Sequence, residues 1–239
     1  MKAMIFAAGK GTRLKPLTDH TPKALVKIND VPMIEIVIKK LIAIGVSEII
    51  INVHYLADQI IEFLKSKNNF DIRIEISDET SELLDTGGGL KKASWFFNDD
   101  EPFILHNADV ISNIDLLDML NFHKEHNAVV TLAMRERKSS RYFIFNEKMN
   151  LCGWENTKTS VKIISKDTHH PKLLAFSGIH MISPAFFNSL NNEGCFSIIQ
   201  SYIESSKNAI IKAYKPENKY WFDIGNIDKL KEAEQFLAR

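Results

Sequence analysis

The sequence predicts an α/β protein with a mostly parallel central sheet, helices on both faces and an added antiparallel part. Three observations carry this expectation. Up to Arg135, short apolar runs alternate with segments of helical period, the pattern of successive βα units. Beyond Arg141, short strand-like runs follow one another directly, which calls for antiparallel pairing. The chain of 239 residues is 45% hydrophobic and 25% charged, ordinary for a globular protein with a sizeable core.

Ala3 to Ala8 is apolar on both faces, as a strand buried on both sides must be. Gly9 to Pro22 is a loop rich in Gly, Thr and Pro. Pro32 to Ile44 is an amphipathic helix, with Gly45 where a C-cap belongs. Glu48 to Val53 is a second buried strand, Asp58 to Lys65 a helix, and Ile72 to Ile76 an alternating third strand. Leu90 to Phe97 is a short helix. Pro102 to His106 is a fourth strand, ending at Asn107-Ala108-Asp109. Leu116 to His126 is a helix and Ala128 to Arg135 a fifth strand. Tyr142 to Phe145, Cys152 to Trp154 and Ser160 to Ile164 are short antiparallel strands, and Leu173 to Met181 is a longer one. Ser183 to Leu190 and Ser197 to Ser205 are helical. Ile210 to Tyr214 and Tyr220 to Asp223 are short strands, and Ile227 to Leu237 is a closing helix. There is no Gly/Ser-rich linker, low-complexity tract or internal repeat, so residues 1–239 form one domain.

Lys+Arg and Asp+Glu balance at 30 each. No global field attracts nucleic acid or an anionic membrane, so any anion site must be local. Cys152 and Cys195 are too few and too far apart for a disulfide framework or a zinc cluster. The apolar run at the N-terminus is too short for a signal sequence or a membrane span. A cytoplasmic protein is expected, with a monomer plausible.

The loop after the first strand reads Gly9-Lys10-Gly11-Thr12-Arg13-Leu14. It matches only the start of a dinucleotide fingerprint, and Pro16 and Pro22 oppose the helix that such a fold opens here. Gly-Lys-Ser/Thr is absent, so it is not a Walker A loop. Successive backbone N–H groups with Arg13 and Lys23 suit a triphosphate. The stretch Phe6-Ala7-Ala8-Gly9-Lys10-Gly11-Thr12-Arg13-Leu14-Lys15-Pro16-Leu17-Thr18, followed by Thr21-Pro22-Lys23-Ala24-Leu25, resembles the signature of the sugar-phosphate nucleotidyltransferases. Phe6 and Ala24 depart from it without removing a polar group. The resemblance covers nearly the whole chain and implies a Rossmann-like three-layer nucleotidyltransferase fold. Residues 1–110 would then bind the nucleotide, 111–226 the sugar phosphate, and 227–239 close the domain.

The resemblance implies roles residue by residue. Ala8, Gly9, Gly11 and Thr12 would approach the triphosphate, Arg13 would neutralise the departing pyrophosphate, and Lys23 would hold phosphate oxygens at the reacting centre. Asp85-Thr86-Gly87-Gly88-Gly89 would lie against the base, with Thr86, Gly87 and Gly88 reading its edge through the main chain. Asn107-Ala108-Asp109 and Tyr220-Trp221-Phe222-Asp223-Ile224-Gly225 resemble the two metal motifs, so Asp109 and Asp223 would hold Mg2+, which takes hard oxygen ligands. Gly178, in Phe176-Ser177-Gly178-Ile179-His180, would face the sugar, joined by Asn107 and by Glu155 as a hydroxyl acceptor. His180 is expected to pack.

The reaction so implied is attack by a sugar 1-phosphate on the α-phosphorus of a nucleoside triphosphate. Among subfamilies the chain looks most like N-acetylmuramate 1-phosphate uridylyltransferases of cell-wall recycling, with UTP as partner. Mannose 1-phosphate guanylyltransferase, glucose 1-phosphate thymidylyltransferase and phosphocholine cytidylyltransferase are alternatives. No hexapeptide repeat of a fused acetyltransferase follows. A catalytically silent nucleotide-sugar sensor is the reading from another class, and the presence of Arg13, Lys23, Asp109 and Asp223 argues against it.

Overall fold

The computed structural model describes residues 1–217 and 219–238. β1 (Lys2–Phe6) leads through single-turn helices at Thr12–Leu14 and Lys23–Leu25, and a hairpin of β2 (Lys27–Ile28) and β3 (Val31–Pro32), into α1 (Met33–Ala43). Next come β4 (Glu48–Val53), α2 (Ala57–Ser66), β5 (Arg73–Asp78), α3 (Asp85–Lys92), β6 (Phe103–Asn107), β7 (Val110–Ser112), α4 (Leu116–Glu125) and β8 (Val130–Arg135). The second half holds β9 (Arg141–Phe145), β10 (Leu151–Asn156), β11 (Val161–Ile164), β12 (Lys172–Ile182), α5 (Ile198–Ser205), β13 (Ile211–Tyr214), β14 (Trp221–Asp223) and α6 (Ile227–Leu237).

One sheet runs β11-β10-β9-β12-β6-β1-β4-β5, with β8 joining β12 to β13. β6, β1, β4 and β5 are mutually parallel, so their carboxyl ends share one rim. β12 runs antiparallel to both β6 and β8, and interrupts the parallel run that the βα pattern predicts. Successive residues of β1 and β4 point to opposite faces. Ile5, Ile49 and Ile51 pack with α1 and α2, whereas Met4 and Ile50 pack toward α3 and α5. Each face buries its own apolar layer, which gives the three-layer arrangement.

Gly45 caps α1 as predicted. Its φ of 89° is left-handed, its N–H donates to the Ile42 carbonyl at 2.9 Å, and Val46 N–H reaches back to Leu41. The helix predicted at Leu90 to Phe97 lies earlier, over Asp85–Lys92, with a separate turn at Ser94–Phe96. The segment from Ser183 is a short 3-10 stretch, Pro184–Ser189, rather than an α-helix. β12 pairs with β9 at its start and with β6 at its end. Its register shifts between Phe176 and His180, around Gly178 at φ 78°.

Candidate active site

Two cavities meet at the rim where the parallel strands end, the place this topology provides for ligands. The first, of about 420 Å3, is bounded by Ala8, Gly9, Lys23, Glu79, Thr86 and Asp109. The second, of about 750 Å3, is bounded by Arg13, Arg137, Trp154, Gly178, Trp221 and Asp223. Asn107 lines both.

The loop after β1 is held from below. Ala7 N–H donates to Asn52 Oδ1 at 2.8 Å, and Leu14 is fully buried. Gly11 has a left-handed φ of 64°, and its carbonyl accepts from Leu14 N–H and Thr18 Oγ1, each at 2.8 Å. A Cβ on Gly11 would stand 2.9 Å from Lys23 Cβ, so only glycine lets the loop close over Lys23. Gly11 and Thr12 therefore shape the loop without lining either cavity. Arg13 leaves the same turn on the other side. Its guanidinium lies on Gly225, where an added Cβ would be 3.1 Å from Nη2.

The two aspartates come together through β7 and β14. These strands form an antiparallel ribbon with Asp223 opposite Val110, and Ile224 N–H donates to the Asp109 carbonyl at 2.9 Å. The Lys23 ammonium is ion-paired with Asp109 Oδ2. Burial, and then the neighbouring Asp109 carboxylate, push the Asp223 carboxyl above its ordinary value, against the pull of Lys23, Arg13 and Arg137. A divalent cation between the two carboxylates would relieve that repulsion. Among the described residues no group of three or more His, Cys, Asp or Glu gathers as a metal site. An ion held by this pair would thus complete its shell with phosphates and water, as magnesium does.

Three expectations need correction. Gly87 and Gly88 are in the first turn of α3, not in an open loop, and their N–H groups are taken by the Phe196 carbonyl, at 2.8 and 3.3 Å. Neither residue lines a cavity, and both pack against the 194–196 segment, where a Cβ on Gly87 would be 2.9 Å from the Phe196 carbonyl oxygen. Close packing offsets the poor helix propensity of three glycines. Thr86 does line the first cavity, while its Oγ1 accepts from Ile198 N–H at 3.0 Å. Glu155 faces away from the second cavity. Strand alternation presents Trp154 and Asn156 there instead, and Glu155 lies 3.5 Å from Lys162 on the other face. Cys195, to which the sequence reading gave no part in the site, is exposed and lines the first cavity, whereas Cys152 is buried.

Sequence reasoning also missed residues at the site. Glu79 is fully buried beside the first cavity, with Oε1 accepting from Asn52 Nδ2 at 2.8 Å and Oε2 from Leu84 N–H at 3.1 Å. Asn52 lies at the carboxyl end of the buried strand β4, and Glu79 just beyond β5. A polar residue in the run Ile49-Ile50-Ile51-Asn52-Val53 was the available signal. Arg137 donates to the Phe176 carbonyl at 3.1 Å and lies over the Trp221 ring, whose Nε1 donates to Ser177. His180 packs as expected, sharing a 2.7 Å hydrogen bond with Tyr202. Desolvation pushes His106 and His180 down to about 3, so both are neutral and neither is a general base.

A family profile described as Nucleotidyl transferase matches residues 2–239. Mannose-1-phosphate guanyltransferase of Yarrowia lipolytica is 30% identical over 228 residues, 94% of this chain and 61% of that protein. Mannose-1-phosphate guanylyltransferase 1 of Arabidopsis thaliana is 34% identical over 194 residues, 80% of this chain and 52% of that protein. The chain thus spans between half and two-thirds of the length of these curated relatives. HddC from Yersinia pseudotuberculosis superposes with a TM-score of 0.79 at 22% identity, covering 99% of both chains. UDP-glucose pyrophosphorylase complexed with UDP-glucose gives 0.79 at 20%, covering 99% and 98%. At such identities the likeness is one of fold. No helix among the described residues is long and apolar enough to cross a membrane.

Proposed function

The chain belongs to the nucleotidyl transferase family, and from that premise we propose that it joins a sugar 1-phosphate to a nucleoside triphosphate and releases pyrophosphate. The observation that carries this is the meeting of two cavities at one carboxylate pair, with Lys23 on the first side and Arg13 on the second. A triphosphate in the first cavity presents its α-phosphorus toward Lys23. A sugar phosphate in the second cavity presents its oxygens from the Arg13 side. The sugar-phosphate oxygen bonds to the α-phosphorus as the bond to the bridging oxygen breaks, and pyrophosphate leaves with that electron pair. A phosphate monoester is already largely ionised near neutrality, with a second pKa of about 6, so no general base is needed. Lys23 and Arg13 neutralise the charge that develops. Asp109 and Asp223 would hold Mg2+, which supplies charge neutralisation to the bridging phosphates when bound.

For the base, we take the covered Glu79 carboxylate to turn into the first cavity as a base enters, which favours guanine over the uracil predicted from sequence. Guanine offers two adjacent donors, N1–H and N2–H, which match the two oxygens of a carboxylate. Uracil offers one donor between two carbonyls, which a carboxylate repels. The relatives' names point the same way for the base, and mannose 1-phosphate is the sugar those names carry. UTP with N-acetylmuramic acid 1-phosphate is the second reading. A matrix of four triphosphates against mannose, glucose, N-acetylglucosamine and N-acetylmuramic acid 1-phosphates, read by pyrophosphate release, tests both. GTP should lead, and Glu79→Gln should shrink its advantage. A preference for UTP that E79Q leaves unchanged would overturn the role of Glu79. No release from any pair by folded protein with magnesium would overturn the reaction.

A further inference from the structure

The second cavity is larger and more cationic than a neutral hexose 1-phosphate requires. Its volume of about 750 Å3 is of the size that encloses a drug-sized ligand. Four cations line it, Arg13, Arg137, Arg141 and Lys158, and among the described residues Asp223 is the one carboxylate that does so.

These cations fall into two poles. Arg13 lies on Gly225 and Arg137 over the Trp221 ring, both within two residues of Asp223, so they stand at the reacting end, where the 1-phosphate must lie. Arg141 opens β9 opposite Asn156, at the far end of the β9–β10 pair, and also lines the neighbouring cavity of about 540 Å3. Lys158 is in the turn just beyond, which is built rather than loose. Its N–H donates to Asn156 Oδ1 at 3.0 Å, and Thr157 N–H donates to the Ser140 carbonyl at 2.8 Å. Neither the Arg141 guanidinium nor the Lys158 ammonium has a hydrogen-bond or ion-pair partner among the described residues. Both are exposed cations on the cavity wall that can turn onto an anion, and the Ser139 and Thr159 hydroxyls that line the same cavity add donors.

We propose that the sugar substrate carries a second anionic group, a carboxylate or a phosphate, remote from its 1-phosphate, and that Arg141 and Lys158 recognise it. This rests on the reading of the cavity as a sugar 1-phosphate site, and goes beyond it by excluding neutral hexoses as the best substrates. One phosphate already occupies the Arg13 pole, so a neutral sugar leaves the outer pole unmatched. A guanidinium binds either anion in bidentate fashion, and the two anion types are separated by experiment.

The test uses matched pairs of sugar 1-phosphates that differ by one charged group. Glucose is compared with glucuronic acid, N-acetylglucosamine with N-acetylmuramic acid, and glucose 1-phosphate with glucose 1,6-bisphosphate. Both kcat/KM by pyrophosphate release and Kd by titration calorimetry are measured. The acidic member of at least one pair should be favoured by about tenfold or more, as one charge-assisted contact gives. R141Q and K158Q should each reduce that ratio several-fold. Equal treatment of both members in every pair, or a ratio that R141Q and K158Q leave intact, would overturn the proposal. If no pair releases pyrophosphate, the reaction itself fails, and the calorimetric ratios still decide whether the outer pole reads an anion.

Discussion

Gly88→Ala separates two accounts of the glycine triplet. In the structure a Cβ at Gly88 would fall on the Gly194 carbonyl oxygen, far inside contact distance, and 3.0 Å from Leu84 Cβ. The Gly194 carbonyl belongs to the backbone and cannot swing aside, so the 194–196 segment must retreat. Overpacking of this kind costs about 1–3 kcal/mol. The retreat also loosens the 2.8 Å hydrogen bond from Gly87 N–H to Phe196, worth about 1 kcal/mol. Alanine returns about 1 kcal/mol through helix propensity. The net loss is about 1–3 kcal/mol, which lowers Tm by roughly 2–12 °C for a chain of this size. Gly9→Ala is the control. Its Cβ meets nothing within 4 Å, so Tm should hold while the affinity for triphosphate changes. Thermal and urea unfolding, with KM for the nucleotide, read both variants. A G88A protein with unchanged or raised Tm and only a higher nucleotide KM would refute the packing account. It would restore the triplet as a loop that faces the base.

Three further outcomes follow from the site. Lys23→Ala should fold normally and lose about 10²-fold or more in turnover, because it removes a charge contact at the transition state; near-normal steady-state rates would refute its role. Asp223→Asn should abolish activity yet stabilise the ligand-free protein. The raised Asp223 carboxyl holds its proton more tightly in the folded state, so its ionised form costs stability above that raised value, and the gain of D223N should fade as pH falls into the ordinary carboxylate range. Equal Tm for D223N and the parent at pH 8, without magnesium, would contradict this. Alkylation by N-ethylmaleimide should raise the nucleotide KM through Cys195, and Cys195→Ser should remove the effect, since burial pushes the Cys152 thiol up and shields it. Inhibition that persists in C195S would place the sensitive thiol elsewhere.

Much of this was legible in the sequence, for identifiable reasons. Runs such as Glu48 to Val53 are long, apolar and β-branched, so strand and burial follow together. The parallel topology then places Gly9, Asn107 and Asp109 on one rim without further information. What failed depended on tertiary partners. Three adjacent glycines read as a loop because propensity is local, whereas the segment that holds them helical comes from residues 194–198. Glu155 carries a suitable group, but alternation in β10 turns it from the cavity and presents Trp154 and Asn156. Tyr220 to Asp223 reads as a strand, but β7 is three residues long and shows no period, so the ribbon that pairs the aspartates was invisible. Gly194-Cys195-Phe196-Ser197-Ile198-Ile199 resembles a stretch of the uridylyltransferases but gives the thiol no role, and only the close approach of this segment to α3 brings Cys195 to the nucleotide side.

The ribbon of β7 and β14 also sets the order in which a growing chain acquires its chemistry. Asp109 emerges from the ribosome soon after the loop, β4 and β5 that bound the first cavity. Its partner, Asp223, emerges only after β8 to β13 have been made, and closing so long a loop before any contact rewards it is slow. A nascent chain can thus acquire the walls of a nucleotide pocket well before it has the second carboxylate. Birth of the active centre is deferred until β14 has been made, and a ribosome that stalls before Tyr220 leaves a product unable to complete the pair.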